Sequence, residues 1–280
     1  MGQPSGLKNT LRAIIGALPL LPRTDQLPNR RVTVEELPID HANVSAYASV
    51  TGLKYGNHVP LTYPFTLTFP ALMSLMTEFD FPFAAMGSVH IENHITQYRP
   101  IAVTDVVGVQ AHAENLREHR KGLLVDVVTD VSVGNYTTWH QVTTFLHQQR
   151  TSLSDEPKPP PQKQPKFLPP NAVLQITPGQ IRRYAAVSGD HNPIHTNPIV
   201  AKLFGFPTTI AHGMFSAAAV LANIEARLPD AVHYSARFVK PVVLPATAGL
   251  YVNEGAGSWD LTLRNIAKGY THLAGTVRGV

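Results

Sequence analysis

Asp190 and His195 stand five positions apart in the stretch GDHNPIH, residues 189–195. A carboxylate beside an imidazole is the simplest pair for general acid–base work near neutral pH. Three readings of this stretch compete: a polar turn, a metal site and an acid–base centre. A metal would use His191 and His195, spaced by four, and would need them on one helical face. Pro193 works against a helix there. A turn at Asn192-Pro193, with Asn192 held extended by the proline, brings Asp190 and His195 to one place. Both side chains then reach one water. Asp190 and Asn192 also suit plain turn and capping roles, so the bland reading stays open on these residues alone.

A second feature lies at His212-Gly213, ahead of the apolar run HGMFSAAAVLANIEARLPD, residues 212–230. That run is rich in Ala and Leu and is stopped by Pro229, so it reads as one long, largely buried helix. Gly213 then lies at a helix N-terminus. Its amide and the helix dipole suit a developing oxyanion, and a glycine lets a ligand approach the backbone closely. His212 is either a helix-start residue or a ligand contact.

The elements that hold these residues emerge from local signals. Thr177 and Pro178 start a helix that ends near Val187, with Gly189 as its stop. Asn197 and Pro198 start another, PIVAKLFG, with Gly205 as its stop. Strands are expected over 233–239, 248–254, 259–266 and 271–278, from period-two alternation and short spacing. The first half shows the same order. It has a helix over 65–79 with an irregularity at Pro70, then strands over 88–98, 106–114, 123–133 and 138–148.

The two halves are related. LPIDHANVSAYASVTG (37–52) aligns with LQITPGQIRRYAAVSG (174–189) at an offset of 137. Pro100 aligns with Pro241 further on. Duplication is the natural reading. Between the halves lies TSLSDEPKPPPQKQPKFLPP (151–170), with seven prolines from Pro157 to Pro170. Proline has no amide proton and a fixed φ, so this segment is an extended connector. The expected organisation is a first domain over 1–150, a linker over 151–170 and a second domain over 171–280. Each half is a helix-then-strands unit, so the fold class is α+β, with an antiparallel sheet curled around a central helix in each repeat. The open edge of one sheet is a place for the other copy.

Composition limits the alternatives. The chain has 280 residues, is 44% hydrophobic and 15% charged, and carries a formal charge of +4. That is too apolar for a disordered chain and ample for two packed units. Lys and Arg are dispersed, which argues against nucleic acid as a partner. Cysteine is absent, which removes disulfides and thiolate metal sites. No stretch reaches the roughly 20 apolar residues of a membrane span. The N-terminal GLKNTLRAIIGALPLLPR is interrupted by Pro19 and Pro22, so residues 7–18 read as an amphipathic helix rather than a signal. A cytoplasmic protein is expected.

YAAVSGDHNPIH followed by FPTTIAHGM (184–214) resembles the hydratase-2 motif of the MaoC-like (R)-specific enoyl-CoA hydratases and dehydratases. The whole chain is similar to the double hot-dog form of that family, close to the mycobacterial 3-hydroxyacyl-thioester dehydratases. The resemblance implies a hydro-lyase that interconverts trans-2-enoyl and (3R)-3-hydroxyacyl thioesters in fatty-acid metabolism. It implies Asp190 and His195 as the catalytic pair and Gly213 as the amide donor to the thioester carbonyl. Asn192 matches the motif asparagine that fixes the loop, and Ser216 falls near a serine used in some members. It implies no metal and no cofactor, an acyl-CoA or acyl carrier protein thioester as substrate, and a homodimer among the candidate assemblies.

The first half departs from the motif. At the same offset Leu53 replaces the aspartate, His58 falls where His195 would be, and TYPFTL puts Thr66 where Gly213 stands. One active site per chain is expected, in the second half. The first half then shapes an acyl pocket, with Tyr63, Phe65, Phe69, Met73 and Met76 as candidate lining. Arg237 and Lys240, near Pro241, are candidates for the carrier's phosphates. Two other readings share this frame: a hot-dog acyl thioesterase, and a non-catalytic acyl-binding scaffold.

Overall fold

The computed structural model describes residues 24–157 and 169–280. The expected helix over 7–18 and most of the proline-rich linker lie outside them.

Ten strands form one antiparallel sheet: β1 (Arg31–Pro38), β2 (Ser88–Gln97), β3 (Val106–His119), β4 (Gly122–Val133), β5 (Tyr136–Gln148), β6 (Ala172–Ile176), β7 (Val232–Phe238), β8 (Ala246–Gly255), β9 (Ser258–Asn265) and β10 (Thr271–Gly279). Their order is β1-β3-β4-β5-β2-β7-β10-β9-β8-β6. Read outward from the centre, the two halves are the same series: β2, β5, β4, β3, β1 against β7, β10, β9, β8, β6. The halves meet where β2 pairs with β7, His94 opposite Ser235. Pro100 and Pro241 are 141 apart, and so are His94 and Ser235, so the pseudo-twofold axis passes through that pair. The β2 edge of one half and the β7 edge of the other close each other, as the repeat predicted.

The helices cover the inner face. In chain order they are α1 (His41–Thr51), α2 (Pro64–Met76), α3 (Pro178–Ser188), α4 (Pro193–Thr196), α5 (Pro198–Leu203) and α6 (Gly213–Leu221). Asp40 caps α1 by accepting from the amides of Ala42 and Asn43. Thr177 and Gln180 form a capping box on α3. The helices of the two halves pack on each other, with Tyr47 and Tyr184 rings 5.8 Å apart. The core strands place Ile95, Val127, Trp139, Tyr234 and Leu261 under them, all buried. The fold is the α+β double hot-dog.

Three expectations are corrected. The apolar run after His212 is not one helix to Pro229. The helix α6 stops at Leu221, and a 3-10 turn occupies Glu225–Arg227. The break places Ile224 in the core and lets Glu225 accept from the amide of Lys54 in the first half at 2.8 Å. Pro193 does not exclude a helix. It is the first residue of the single turn α4, where a missing amide is harmless, and Asn192 caps it by accepting from the amide of Ile194. The edge strands β1 and β6 are additional. Each pairs on one side only, and β1 carries a register irregularity between Val34 and Leu37.

Candidate active site

Gly189 ends α3 in the left-handed conformation, φ 74°, and releases the chain into the Asp190 loop. An Asp190 carboxylate oxygen accepts from the amide of Asn192 at 3.2 Å, and the Asp190 amide donates to Ser188 Oγ at 3.3 Å. Asn192 thus both shapes this turn and caps α4, the helical turn that carries His195.

His195 is 9% exposed. Its Nδ1 lies 2.9 Å from the backbone oxygen of Ile210. A carbonyl only accepts, so this partner assigns the proton to Nδ1 and leaves Nε2 with a free lone pair. Ile210 is itself fixed, bridging Val243. The next residue, Ala211, donates to the Val242 carbonyl. The acceptor that orients His195 is therefore tied to the segment between β7 and β8.

His212 is buried against both members of the pair. Its ring lies 3.8 Å from that of His195, and its Nε2 donates to the backbone oxygen of Asp190 at 3.0 Å. Its contact is positional: it holds the Asp190 loop against the start of α6. One carboxylate oxygen of Asp190 and one ring nitrogen each of His195 and His212 lie within 4.8 Å of one another. This is a metal-like spacing. His212 Nε2 carries a proton for a carbonyl, and His195 Nδ1 does the same. That leaves the Asp190 carboxylate and one lone pair on each imidazole, with His212 Nδ1 buried and without a hydrogen-bond partner among the described residues. The His195 lone pair and the Asp190 carboxylate border one cavity and can share a water. The pair considered from spacing alone, His191 with His195, is not formed; His191 is exposed.

The electrostatics set the resting state. Burial pushes the Asp190 carboxyl up, but the His212 and His195 imidazoles and the Asn192 amide outweigh it, and the net shift is downward. Burial pushes His195 down against the opposing pull of Asp190. Burial and the neighbouring His195 hold His212 at about 3. Near neutral pH the centre is one carboxylate and two neutral imidazoles.

Gly213 is the first residue of α6, so its amide has no acceptor within the helix. A Cβ there would meet the Phe238 ring at 3.0–3.1 Å, which is why the position takes glycine. Ser216, one turn on, is buried and donates to the His212 carbonyl at 3.3 Å.

Asp190, Asn192, His195, His212, Gly213 and Ser216 all line one cavity of about 280 Å³. Phe65, Phe69, His90 and Phe145 of the first half line it too, and Lys121 and Lys240 also border it. Other candidates lie elsewhere. Tyr63 is buried and donates to Asn43 Oδ1 at 3.0 Å, within the helix packing. Met73 and Met76 pack in the core beside it. Arg237 is on the opposite face of β7 from Phe238, in a shallow hollow with Glu92 and Asp260. Alternation along the strand puts it there. Lys121 and His90 were not expected from sequence. Lys121 sits in the β3–β4 turn at the end of the charged run REHRK, and His90 sits at a strand irregularity.

The first-half loop is also realigned. His58 is exposed and bridges Ala102, just as Ile210 bridges Val243. Its counterpart is Ile210, not His195. Thr66 is the third residue of α2, which opens on Pro64, whereas Gly213 opens α6. Leu53 is buried in the core.

A carboxylate and an open imidazole nitrogen beside a helix N-terminus, on a double hot-dog, suit a hydro-lyase of the hot-dog class. Residues 158–274 match the family model of the MaoC like domain. The chain is 80% identical, over 280 residues and the whole of both chains, to 3-hydroxyacyl-thioester dehydratase X of Mycobacterium tuberculosis. It belongs to the MaoC-like dehydratase family. A solved structure of HtdX from M. tuberculosis superposes with a TM-score of 0.82 at 80% identity, covering 89% of this chain and all of that one. A MaoC-like dehydratase from Phytophthora capsici shares the fold at 19% identity, with a TM-score of 0.73, covering 91% of this chain and 96% of that one. Among the described residues, no helix is long and apolar enough to cross a membrane.

Proposed function

We propose that this chain interconverts trans-2-enoyl and (3R)-3-hydroxyacyl thioesters, with Asp190 and His195 as the acid–base pair and Gly213 as the oxyanion donor. The observation that carries this is the contact of His195 Nδ1 with the Ile210 carbonyl, which assigns the tautomer. With Nδ1–H given to Ile210, the open Nε2 and the ionised Asp190 are two acceptors beside one cavity. A water placed between them donates one O–H to each.

In hydration that water adds its oxygen to C3 and yields a proton to the pair. The pair delivers a proton to C2. In dehydration the pair removes the C2 proton and returns one to the departing C3 hydroxyl, which leaves as water. Either way an enolate oxygen develops at the thioester. The Gly213 amide, at the positive end of α6, is the group that meets it. No redox step is involved.

On this reading residues 171–280 are the catalytic unit and 1–150 a non-catalytic one, joined by the linker over 151–170. Phe65, Phe69 and Phe145 supply an aromatic wall for the acyl chain. Lys240, at the edge of the cavity, is placed for the phosphate of a phosphopantetheine arm, which coenzyme A and acyl carrier protein share. Arg237, on the other face, is not. Ser216 supports the α6 N-terminus through the His212 carbonyl.

The test is hydration of crotonyl-CoA with chiral analysis of the product. The wild-type chain is expected to give the (3R) alcohol, and Asp190→Asn and His195→Gln to give none above background with unchanged circular dichroism. Near-normal turnover by either variant would overturn the assignment. Release of free thiol instead would favour a thioesterase.

A further inference from the structure

The half without the acid–base pair brings an imidazole to the cavity. Along β2, Asn93, Ile95 and Gln97 are buried on the inner face, so simple alternation would turn His90 outward with Glu92 and His94. It does not turn outward. The pairing with β5 slips between His90 and Glu92, leaving Ile91 as an extra residue, and His90 comes to lie opposite Phe145. A bulge of this kind re-aims a side chain. His90 then lines the cavity, framed by the rings of Phe65, Phe145 and Phe238 at 6.1, 5.3 and 4.9 Å.

The ring is anchored from behind. Its Nε2 lies 3.1 Å from the Glu92 backbone oxygen and 3.2 Å from the Asn93 amide nitrogen. Asn93 belongs to a chain of buried polar groups. Thr129 donates to Gln141, Gln141 donates to Asn93, and Asn93 donates to Thr143. The Glu92 carbonyl only accepts, so that contact assigns the proton to Nε2; one N–H of the Asn93 side chain goes to Thr143. On this assignment Nδ1 keeps its lone pair, on a ring that lines the cavity. Burial holds the ring neutral, at about 4, and the Asp190 charge is felt there.

An acceptor in an aromatic wall needs a donor. The enoyl thioester head has none. The only hydrogen-bond donor in the reacting part of the substrate is the O–H that is added at C3 or lost from it. We propose that His90 is a substrate-binding residue contributed by the first half, its Nδ1 accepting a hydrogen bond from the water in hydration and from the 3-hydroxyl in dehydration. The inference rests on the proposed reaction.

Two isosteres separate this role from a structural one. An asparagine amide falls near the place of Nδ1, and a glutamine amide near that of Nε2. His90→Asn keeps the cavity acceptor and gives up the anchor. His90→Gln keeps the anchor and gives up the acceptor. For crotonyl-CoA hydration, His90→Gln and His90→Phe are expected to lose roughly tenfold or more in kcat/KM, and His90→Asn no more than about threefold. A near-normal His90→Gln beside a crippled His90→Asn would overturn the proposal. So would three unaffected variants, or three equal losses accompanied by a lower melting temperature.

If the wild-type chain does not turn over crotonyl-CoA, the reaction is wrong but His90 is still testable. Calorimetry with (3R)-3-hydroxybutyryl-CoA and butyryl-CoA should then show a preference for the hydroxylated ligand in the wild type and His90→Asn, and none in His90→Gln. No preference in the wild type would sink the inference by itself.

Discussion

Gly52 and Gly189 end the first helix of each half in the same left-handed conformation, φ 82° and 74°. Beyond these two glycines the backbone paths diverge. From Gly52 the chain takes six residues to reach the bridge at His58. From Gly189 it takes 21 to reach the bridge at Ile210. The extra 15 residues contain α4 and α5, and with them His195 and its capping asparagines. The contrast continues at the next helix. Its first residue is Gly213 in the second half and Pro64 in the first. Proline at that position has no amide proton to offer an oxyanion. One scaffold thus occurs twice, once with an acid, a base and a donor, and once with none of the three. On the proposed assignment, catalysis is a property of a loop insertion and one amide, not of the hot-dog itself.

The harshest way to test that contrast is to make the second half resemble the first at Asp190. Asp190→Leu copies Leu53 and removes the carboxylate. The expected loss in kcat is about 10³-fold or more, the upper range for general acid–base groups. Asp190→Asn should lose nearly as much, because the charge and not the shape is needed. Single-turnover rates on crotonyl-CoA would measure both. An Asp190→Leu variant within tenfold of wild type would mean that the two loops are not functionally distinct.

The Gly213–Pro64 contrast should give the next largest effect. Gly213→Pro alone is ambiguous, since any Cβ there meets Phe238 at 3.0 Å. The comparison belongs in a Phe238→Ala background, which opens the space. There Gly213→Ala keeps the amide and Gly213→Pro deletes it. The proline variant is expected to fall about 10²–10³-fold below the alanine variant in kcat, with KM nearly unchanged, as for removal of one oxyanion donor. Equal rates for the two would remove the Gly213 amide from the mechanism.

The reverse graft should fail, and its failure is informative. Leu53→Asp with Pro64→Gly gives the first half an acid and a donor but no counterpart of α4, hence no histidine in reach. In the Asp190→Asn background no turnover is expected. Leu53 is buried, so the added charge should lower stability by about 3 kcal/mol, measurable as a shift in urea midpoint. Restored activity would show that the insertion is dispensable.

Much of this was legible in the sequence because it depends on local chemistry. Caps and stops at Asp40, Gly52, Thr177 and Gly189 need only their neighbours, and the eight core strands declare themselves by alternation. The meeting of Asp190 and His195 was legible for the same reason: the two share one short loop. Three things were not. Matching the two halves without gaps set His58 against His195, because a linear offset does not register a 15-residue insertion. Arg237 was given to the site because it precedes a helpful proline, although strand parity sends it to the other face. His90 was missed because parity fails at Ile91, and a bulge is a pairing event that one strand's residues do not announce. In each case the missing knowledge was long-range: which backbone lies opposite.

The smallest expected effect concerns pH, and it compares the halves by their buried imidazoles. His90 in the first half is held at about 4, and His212 in the second at about 3, both by burial; His195 is also depressed. In the unfolded chain these rings titrate near 6.5. Between that value and the folded ones the unfolded state binds more protons, so stability rises with pH through this window and is lost as pH falls below about 6.5. The denaturant midpoint should be level above that value and decline toward pH 4. His90→Asn should flatten part of the decline without touching the acid limb of kcat/KM. That limb reports protonation of His195 and Asp190 and should lie below the ordinary imidazole value. A midpoint that stays constant down to pH 4 would mean that the folded chain takes up these protons freely. An acid limb that moves in His90→Asn would mean that the first half contributes a titrating group and not a neutral acceptor.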